Sequence, residues 1–407
     1  MAGVYVHIPF CKSRCIYCGF YSTTALRLRQ DYVDALCAEM RLRRQEIRER
    51  VHSIYIGGGT PSMLEERQLR QLFATLADTF GPLGSDEKCT KGSVPLCTLD
   101  DCEVTMECNP DDVTDALAAL LGKLPVNRVS MGAQTFNDQR LAFLSRRHRA
   151  DDVALAVSRL RQAGIKNISI DLMYGFPEET LDEWHRDIDA ALDLDVEHLS
   201  AYALQYEEGT PLYRLLQQGR VAEIDEELSR QMYYDLKDRL EAAGYEHYEI
   251  SNFAKLPPEP QQTGKGIGTG PLGFRSRHNS SYWNQTPYLG LGAAAHSFDS
   301  NSRQWNVSDL NAYIRGVQSG DMPVEHEQLD DDTRYNELVM TRLRTCEGLP
   351  LRLLTPAQRD YCLRQARRYL DDGLLRIVPP QEATNQSLCL TRRGIFVSDM
   401  IMADLFL

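Results

Sequence analysis

At 407 residues, 43% of them hydrophobic, the chain is long enough for one large α/β core with an appended module, and can fill both. A formal net charge of −13 argues against a nucleic-acid partner, because neutralising phosphates takes a basic face. No apolar run approaches the roughly 18 residues of a transmembrane helix. Strand and motif begin within ten residues of Met1, so no secretory leader is expected, and the eleven cysteines read as reduced thiols in a cytoplasmic setting.

In chain order, six short β-type runs alternate with amphipathic helical stretches, the pattern of a parallel α/β sheet. The runs are Val4 to Ile8, Ser53 to Ile56, Val104 to Glu107, Arg128 to Gly132, Asn167 to Met173 and His198 to Leu204. Tyr32, Val33, Leu36, Cys37, Met40 and Ile47 form an apolar stripe at helical spacing, and Leu69, Leu72, Phe73, Leu76 and Phe80 form another. Ala163-Gly164 signals a helix stop, and Thr180 with Glu183 makes a capping box ahead of Trp184, Ile188 and Leu192. Six βα units are too few to close an eight-stranded barrel, so a partial, open (βα)6 TIM-like barrel is expected over residues 1–255.

Chemistry-bearing residues gather at the C-terminal ends of these strands, where βα barrels build their sites. After the first strand come Cys11, Cys15 and Cys18. Three thiolates so spaced can hold a [4Fe-4S] cluster by three irons and leave the fourth open. The alternative, a structural zinc, closes its shell with four protein ligands, and His7 is the one nearby fourth donor. After the second strand comes Gly57-Gly58-Gly59-Thr60-Pro61, which lets backbone approach a ligand closely, although a plain tight turn explains it as well. The third strand ends in Glu107, the fourth in Gln134, and the fifth carries Asp171. Buried acids on one rim imply a polar ligand in the barrel mouth.

Farther on, residues 256–275 are rich in Pro, Gly and Gln and read as a flexible insertion; Gly264-Lys265-Gly266 lacks the ending of a phosphate loop. The stretch from Gly81 to Cys102, with Cys89, Cys97 and Cys102, matches no ferredoxin spacing. Residues 276–330 read as a connecting segment that carries Arg277-His278-Asn279-Ser280-Ser281-Tyr282-Trp283. Over 331–407 a helix through Tyr335 and Leu343, a second opened by Thr355-Pro356, a hairpin (Leu374 to Val378, Leu388 to Thr391) and a helix from Gly394 to Phe406 suggest a winged-helix-like α+β module. Its Arg364, Arg367 and Arg368 are offset by Asp360, Asp371 and Asp372, which favours a lid or docking role over DNA binding.

Long stretches resemble one family. Tyr5 to Cys11, Gly57 to Pro61, Met106 to Pro110, Ser130 to Phe136, Leu144-Ser145-Arg146 and Asp171 to Gly175 are similar to the HemN/HemW family of radical S-adenosylmethionine (SAM) proteins. The resemblance implies a [4Fe-4S] cluster on Cys11, Cys15 and Cys18, with SAM chelating the open iron and yielding a 5'-deoxyadenosyl radical on reduction. It also implies a SAM site lined by Tyr5, Tyr17, Gly58, Gly59, Thr60, Glu107, Gln134, Arg146 and Asp171. Gly58 and Gly59 would offer backbone groups to the methionine moiety, Glu107 and Arg146 suit its ammonium and carboxylate, and Gln134 and Asp171 suit adenosine hydroxyls.

The family divides into oxygen-independent coproporphyrinogen III oxidases and HemW-type haem chaperones. Phe20 stands where the oxidases carry a further cysteine, and ten residues precede Cys11 where the oxidases have a long extension. The run from His278 to Trp283 resembles the His-Asn-x-x-Tyr-Trp element of the chaperones, which makes His278 a candidate haem ligand beside Tyr282, Trp283 and Tyr288. On the local sequence alone a satisfied structural histidine is the plainer reading, the resemblance reverses that preference, and His296 is a competing ligand. Gly19 departs from the Asp common in the chaperones and removes a local carboxylate. The expectation is therefore a haem chaperone that binds a [4Fe-4S] cluster, SAM and haem, draws on an electron donor, passes haem to an acceptor protein and lacks coproporphyrinogen oxidase activity. The oxidase is the runner-up. Nucleic acid is not expected as a partner, and peripheral membrane association is left open.

Overall fold

The computed structural model describes residues 2–81, 102–256, 273–322, 324–379 and 385–407. Six parallel strands stand where the alternating pattern requires them: β1 (Ala2–Ile8), β2 (Val51–Gly58), β3 (Glu103–Cys108), β4 (Arg128–Gln134), β5 (Asn167–Tyr174) and β6 (His198–Ala203). They pair in chain order, and each crossover carries helix: α1 (Arg29–Leu42), α2 (Glu66–Phe80), α3 (Asp115–Leu121), α4 (Asp138–Phe143), α5 (Ala150–Gln162) and α6 (Leu181–Asp193). The capping box at Thr180 and Glu183 starts α6, and Gly164, at φ 91°, follows the end of α5.

The strands have two unlike faces, because successive side chains point to opposite sides. Val4, Val6, Ile8, Ile54, Ile56, Met106, Val129, Met131, Ile168 and Ile170 are buried in the main core with α1, α2 and α5. Their alternates Tyr5, Tyr55, Glu107, Ser130, Ser169, Asp171 and Ser200 line a cavity inside the curve of the sheet. A strand sequence of this kind builds an apolar outer wall and a polar lumen.

The sheet does not close. Beyond β6 come α7 (Pro211–Gln217), α8 (Glu226–Ala242) and the hairpin β7 (Tyr245–Glu249) and β8 (Asn252–Lys255), with β8 antiparallel to β6. At the other edge, the segment read as a connector builds structure. After α9 (Arg277–Trp283), β9 (Tyr288–Leu291) lies parallel to β1, and β10 (His296–Phe298), β11 (Ser302–Asn306) and β12 (Val324–Gln328) extend the sheet antiparallel to twelve strands, with α10 (Leu310–Ser319) packed on α1.

One buried polar network fastens this extension. Glu39 of α1 accepts hydrogen bonds from Gly292 N at 2.7 Å, Asn306 Nδ2 at 2.7 Å and Tyr313 OH at 2.6 Å, and pairs with Arg43 at 2.9 Å. A buried carboxylate with this many donors is tolerated because its lost hydration is replaced in full.

The C-terminal module has a second core around Tyr335, Val339, Tyr369, Leu388 and Ile401. It comprises α11 (Asp331–Leu343), β13 (Leu349–Pro350), α12 (Pro356–Asp371), β14 (Leu375–Val378), β15 (Ser387–Leu390), α13 (Arg392–Ile395) and α14 (Ser398–Asp404), so the expected final helix is broken after Ile395. Arg344 to Glu249, at 2.9 Å, and Arg392 to Asp238 tie the module to β7 and α8. Among the described residues, no helix is long and apolar enough to cross a membrane.

Candidate cluster and SAM site

The cysteine loop leaves β1 and is held at several points by backbone. Cys11 N donates to Thr23 O at 2.9 Å and Thr23 N to Pro9 O at 2.7 Å, which brings the loop back alongside its own start. Ile16 N reaches Leu144 O at 3.2 Å, and Leu212 N reaches Ile16 O at 2.9 Å. Anchored this way, Cys11, Cys15 and Cys18 stay half-buried and line one cavity of about 830 Å³. Thr60 Oγ1 lies 3.5 Å from the Cys11 sulfur, and Arg146 Nη1 lies 3.6 Å from that of Cys15.

This arrangement suits an iron–sulfur cube better than a single ion. Among the described residues no group of three or more His, Cys, Asp or Glu side chains converges as one metal ion requires. His7, the fourth zinc donor that the sequence allowed, is committed elsewhere: its Nδ1 is 3.0 Å from Tyr5 OH and its Nε2 is 3.0 Å from Tyr21 O. Burial pushes its pKa down to about 4, so it stays neutral. Thiols spread around a cavity, with a hydroxyl and a guanidinium turned towards the sulfurs, fit thiolates that share a larger anionic cluster.

The nine residues expected at the SAM site line the same cavity: Tyr5, Tyr17, Gly58, Gly59, Thr60, Glu107, Gln134, Arg146 and Asp171. Gly58 takes φ 111°, and a Cβ at Gly59 would fall 2.7 Å from the Pro9 carbonyl carbon, so the loop after β2 can pass the cysteine loop only as glycine. Glu107 accepts from Tyr55 OH at 2.7 Å and Gly58 N at 3.1 Å, which fixes its carboxylate under the glycines. A bulge between Gly132 and Gln134 puts Gln134 at φ 67° and turns the end of β4 towards Arg146. Arg146 donates to Gly132 O at 2.6 Å and Asn109 Oδ1 at 2.8 Å, and its buried Nε has no partner.

The electrostatics follow from enclosure. Burial raises the Glu107 carboxyl to about 7, against the hydrogen bond from Tyr55, and burial raises Asp171 to about 6. Two acids held partly protonated are poised to accept a cationic or hydroxyl-rich ligand.

Several participants lay outside the expected site set. Asn109 bridges Thr60 and Arg146, Tyr55 holds Glu107, and Arg128, Ser200, Tyr202 and Asn279 line the cavity deeper or along the open edge. The signal for the strand members was the two-residue alternation, which puts Tyr55, Arg128 and Ser200 on the lumen face with Glu107 and Asp171. His278 is placed differently from the cavity residues. It is 1% exposed, its Nδ1 is 3.1 Å from Ser53 Oγ, and its Nε2 is 2.8 Å from Tyr282 OH. Tyr282 packs edge-on against Tyr288, Trp283 lies under Arg344, and His296 stacks on Trp305 at the far edge of the sheet. Cys102 and Cys108 are buried at opposite ends of β3, about 20 Å apart at 3.3 Å per residue, while Cys89 and Cys97 lie outside the described residues.

Comparison with known proteins agrees with this geometry. The Radical SAM superfamily model matches residues 5–191, and the HemN C-terminal domain model matches residues 329–397. A protein of Mycobacterium tuberculosis named heme chaperone HemW is 33% identical over 409 residues, covering 99% of this chain and 94% of its own length. The chain belongs to the HemW family of radical SAM proteins. The Bacillus subtilis heme chaperone HemW is 34% identical over 352 residues, covering 86% of this chain and 85% of its own. The solved structure of Escherichia coli coproporphyrinogen III oxidase (HemN), described as a radical SAM enzyme, superposes over 100% of this chain and 90% of its own with a TM-score of 0.77. At 19% identity that likeness speaks to the fold alone. Membership of the radical SAM superfamily implies a [4Fe-4S] cluster and SAM as the cofactors of this HemW-family chain.

Proposed function

We propose that this HemW-family protein is a haem chaperone: it binds a [4Fe-4S] cluster, SAM and haem, and passes haem to an acceptor protein. The observation that carries the reading is Phe20. It stands two residues after the third cysteine, lines the same cavity, and is 73% exposed. A large apolar side chain held open beside the cysteines offers contact surface to a flat apolar guest, and it supplies no fourth thiolate. The cavity also reaches Ile395, Phe396 and Ser398 of the C-terminal module, which gives it a wall that lies outside the barrel.

In this reading Cys11, Cys15 and Cys18 hold the cluster, Thr60 and Arg146 steady the sulfurs, and Glu107, Gln134, Asp171 and the glycines orient SAM. When bound, cluster and SAM together supply one-electron chemistry at the SAM sulfonium. The chain's own groups exclude water, hold Glu107 under the glycine loop and keep His7 neutral. An electron donor and a haem-accepting protein are the partners this requires, in the cytoplasm.

For the haem iron, His278 remains the proposed ligand. Bonding at Nε2 requires the Tyr282 hydroxyl to leave, because both imidazole nitrogens are engaged inside the protein. The test is anaerobic reconstitution followed by two parallel assays, haem retention with transfer to an apo-haemoprotein, and conversion of coproporphyrinogen III with SAM and reductant. Haem retention without conversion is expected. Robust formation of protoporphyrinogen would assign the chain to the oxidase reading instead.

A further inference from the structure

Below the SAM residues the lumen is polar to its floor, and the register of the strands shows how that floor is built. Tyr55 pairs with Thr105, Thr105 with Arg128, and Arg128 with Asn167, so four strands contribute one layer of inward-facing side chains. The next layer sets Glu107 beside Ser130, Ser130 beside Ser169 and Ser169 beside His198.

Arg128 is the exception in this layer. Its side chain is among the largest fully buried ones, and the residue lines the cavity. Its hydrogen bonds go to neutral oxygens, Asn167 Oδ1 at 2.8 Å and Phe274 O at 3.4 Å, and its Nε has no partner. Thr105 Oγ1, buried and directly across the strand pair, has none either. His198, between Ser169 and Tyr248, is neutral and offers no anion, and Asp171, higher in the lumen, acts on the guanidinium only through space, with no hydrogen bond between them. A guanidinium withdrawn from water is costly unless an anion meets it. Asn279, one residue after His278, also lines this cavity, whereas the His278 ring is bonded away from it.

We propose that Arg128, with Asn279 beside it on the cavity wall and the buried Thr105 hydroxyl behind it, forms a carboxylate-binding subsite in the barrel lumen. Resting on the chaperone reading, we assign a haem propionate as its occupant. The group bound there is distinct from the SAM carboxylate. Arg128 opens β4 and Gln134 closes it, which separates them by about 20 Å at 3.3 Å per residue. A planar fork facing a carboxylate makes two parallel charge-assisted hydrogen bonds, and this subsite explains why the floor of the lumen keeps an arginine.

The experiment compares binding of iron protoporphyrin IX and of its dimethyl ester, in which both propionates are masked, to the reconstituted full chain. Wild type is expected to prefer the free acid by about tenfold or more, and Arg128→Met to bring the ratio to about one while binding the ester as wild type does. Arg128→Lys should keep part of the preference, and Asn279→Ala should reduce it. Cluster iron content and the thermal midpoint show whether each variant has folded. If Arg128→Met fails to fold, Thr105→Val and Asn279→Ala carry the comparison. A ratio unchanged in all folded variants overturns the proposal, as does equal weakening of acid and ester. If wild type binds neither porphyrin, the chaperone reading fails, and succinate then tests the subsite alone. A rise in thermal midpoint with succinate that is lost in Arg128→Met and reduced in Arg128→Lys supports a small-carboxylate site; no rise in wild type overturns the subsite.

Discussion

A Cβ added to Gly19 would fall 1.9 Å from Oε2 of Glu207. Gly19 follows the third of the candidate cluster cysteines, at a position where the resemblance implies aspartate, and Glu207, on the segment after β6, reaches the same part of the cavity that both line. The carboxylate missing at position 19 is thus supplied in space from position 207. A carboxylate stands beside Gly19, carried by the segment that follows β6.

This relationship predicts an epistatic pair. Gly19→Asp should press two carboxylates together and lower the thermal midpoint by a few degrees, on the order of 1 kcal/mol for an exposed like-charge contact. The same substitution made with Glu207→Gln should recover the loss and retain full iron loading. Thermal unfolding of the two single variants and the double variant checks this. Equal midpoints for Gly19→Asp and the double variant would show that the two positions do not share one site.

The cluster ligands make a second prediction. Alanine at Cys11, Cys15 or Cys18 should each abolish iron and sulfide loading after anaerobic reconstitution, because the remaining two thiolates leave two irons uncapped. Alanine at buried Cys362 or Cys108 should leave loading intact and cost stability alone, about 1 kcal/mol for the small cavity. Iron and sulfide counts per chain decide it, and full loading of Cys15→Ala would remove the assignment.

Glu107 predicts a pH dependence with a definite sign. Burial raises its carboxyl to about 7 from an ordinary 4.5, so the folded chain holds a proton there that the unfolded chain releases. The resulting stability is full below about pH 4.5 and is lost as pH rises to about 7. Above pH 7 the carboxylate is ionised at a cost to the fold, on the order of 3 kcal/mol, and ready for a cation. SAM should therefore bind with constant affinity above about pH 7.5 and lose up to about tenfold per pH unit below 7. Glu107→Gln should flatten that profile, weaken SAM at pH 8, and raise the thermal midpoint of the SAM-free protein at that pH. Calorimetry of SAM binding from pH 6 to 8.5 tests the set, and an unchanged slope in the variant would move the titration to Asp171.

The parts of this fold that were legible in the amino-acid sequence are those with repetition behind them. Six strands declared themselves because each alternates apolar residues for the helix layer with polar ones for the lumen, as Val4 and Ile8 do with Tyr5 and His7. β9 escaped notice because it is four residues long and glycine-containing, and because its partner β1 lies some 280 residues earlier. The site divides in the same way. Residues at strand ends follow directly from chain order, whereas Arg128 and Thr105 form a set only when the register lays them side by side. His278 shows the opposite case, in which a motif draws attention to a residue whose bonds are internal. Its ring is ringed by Tyr5, Tyr55 and Tyr282, contacts that local sequence does not reveal.

Those contacts yield the last prediction. Burial pushes His278 down to about 3, so it is neutral across the physiological range; the stability of keeping it so is present above about pH 6.5 and lost as pH falls towards 3. His278→Ala should cost about 3 kcal/mol, since it opens a cavity between tyrosines and orphans the hydroxyls of Ser53 and Tyr282. That loss follows from the packing whatever the haem does, so the alanine variant alone cannot identify an iron ligand. Tyr282→Phe can. It removes the hydrogen bond that an iron at Nε2 must displace, about 1 kcal/mol, and so should tighten haem binding severalfold and leave the haem spectrum of an imidazole ligand in place. Haem titrations of wild type, Tyr282→Phe and His296→Ala, read by the position of the Soret band, make the comparison. If Tyr282→Phe binds as wild type while His296→Ala loses the imidazole spectrum, His278 is a structural residue and the iron sits at the other edge of the sheet.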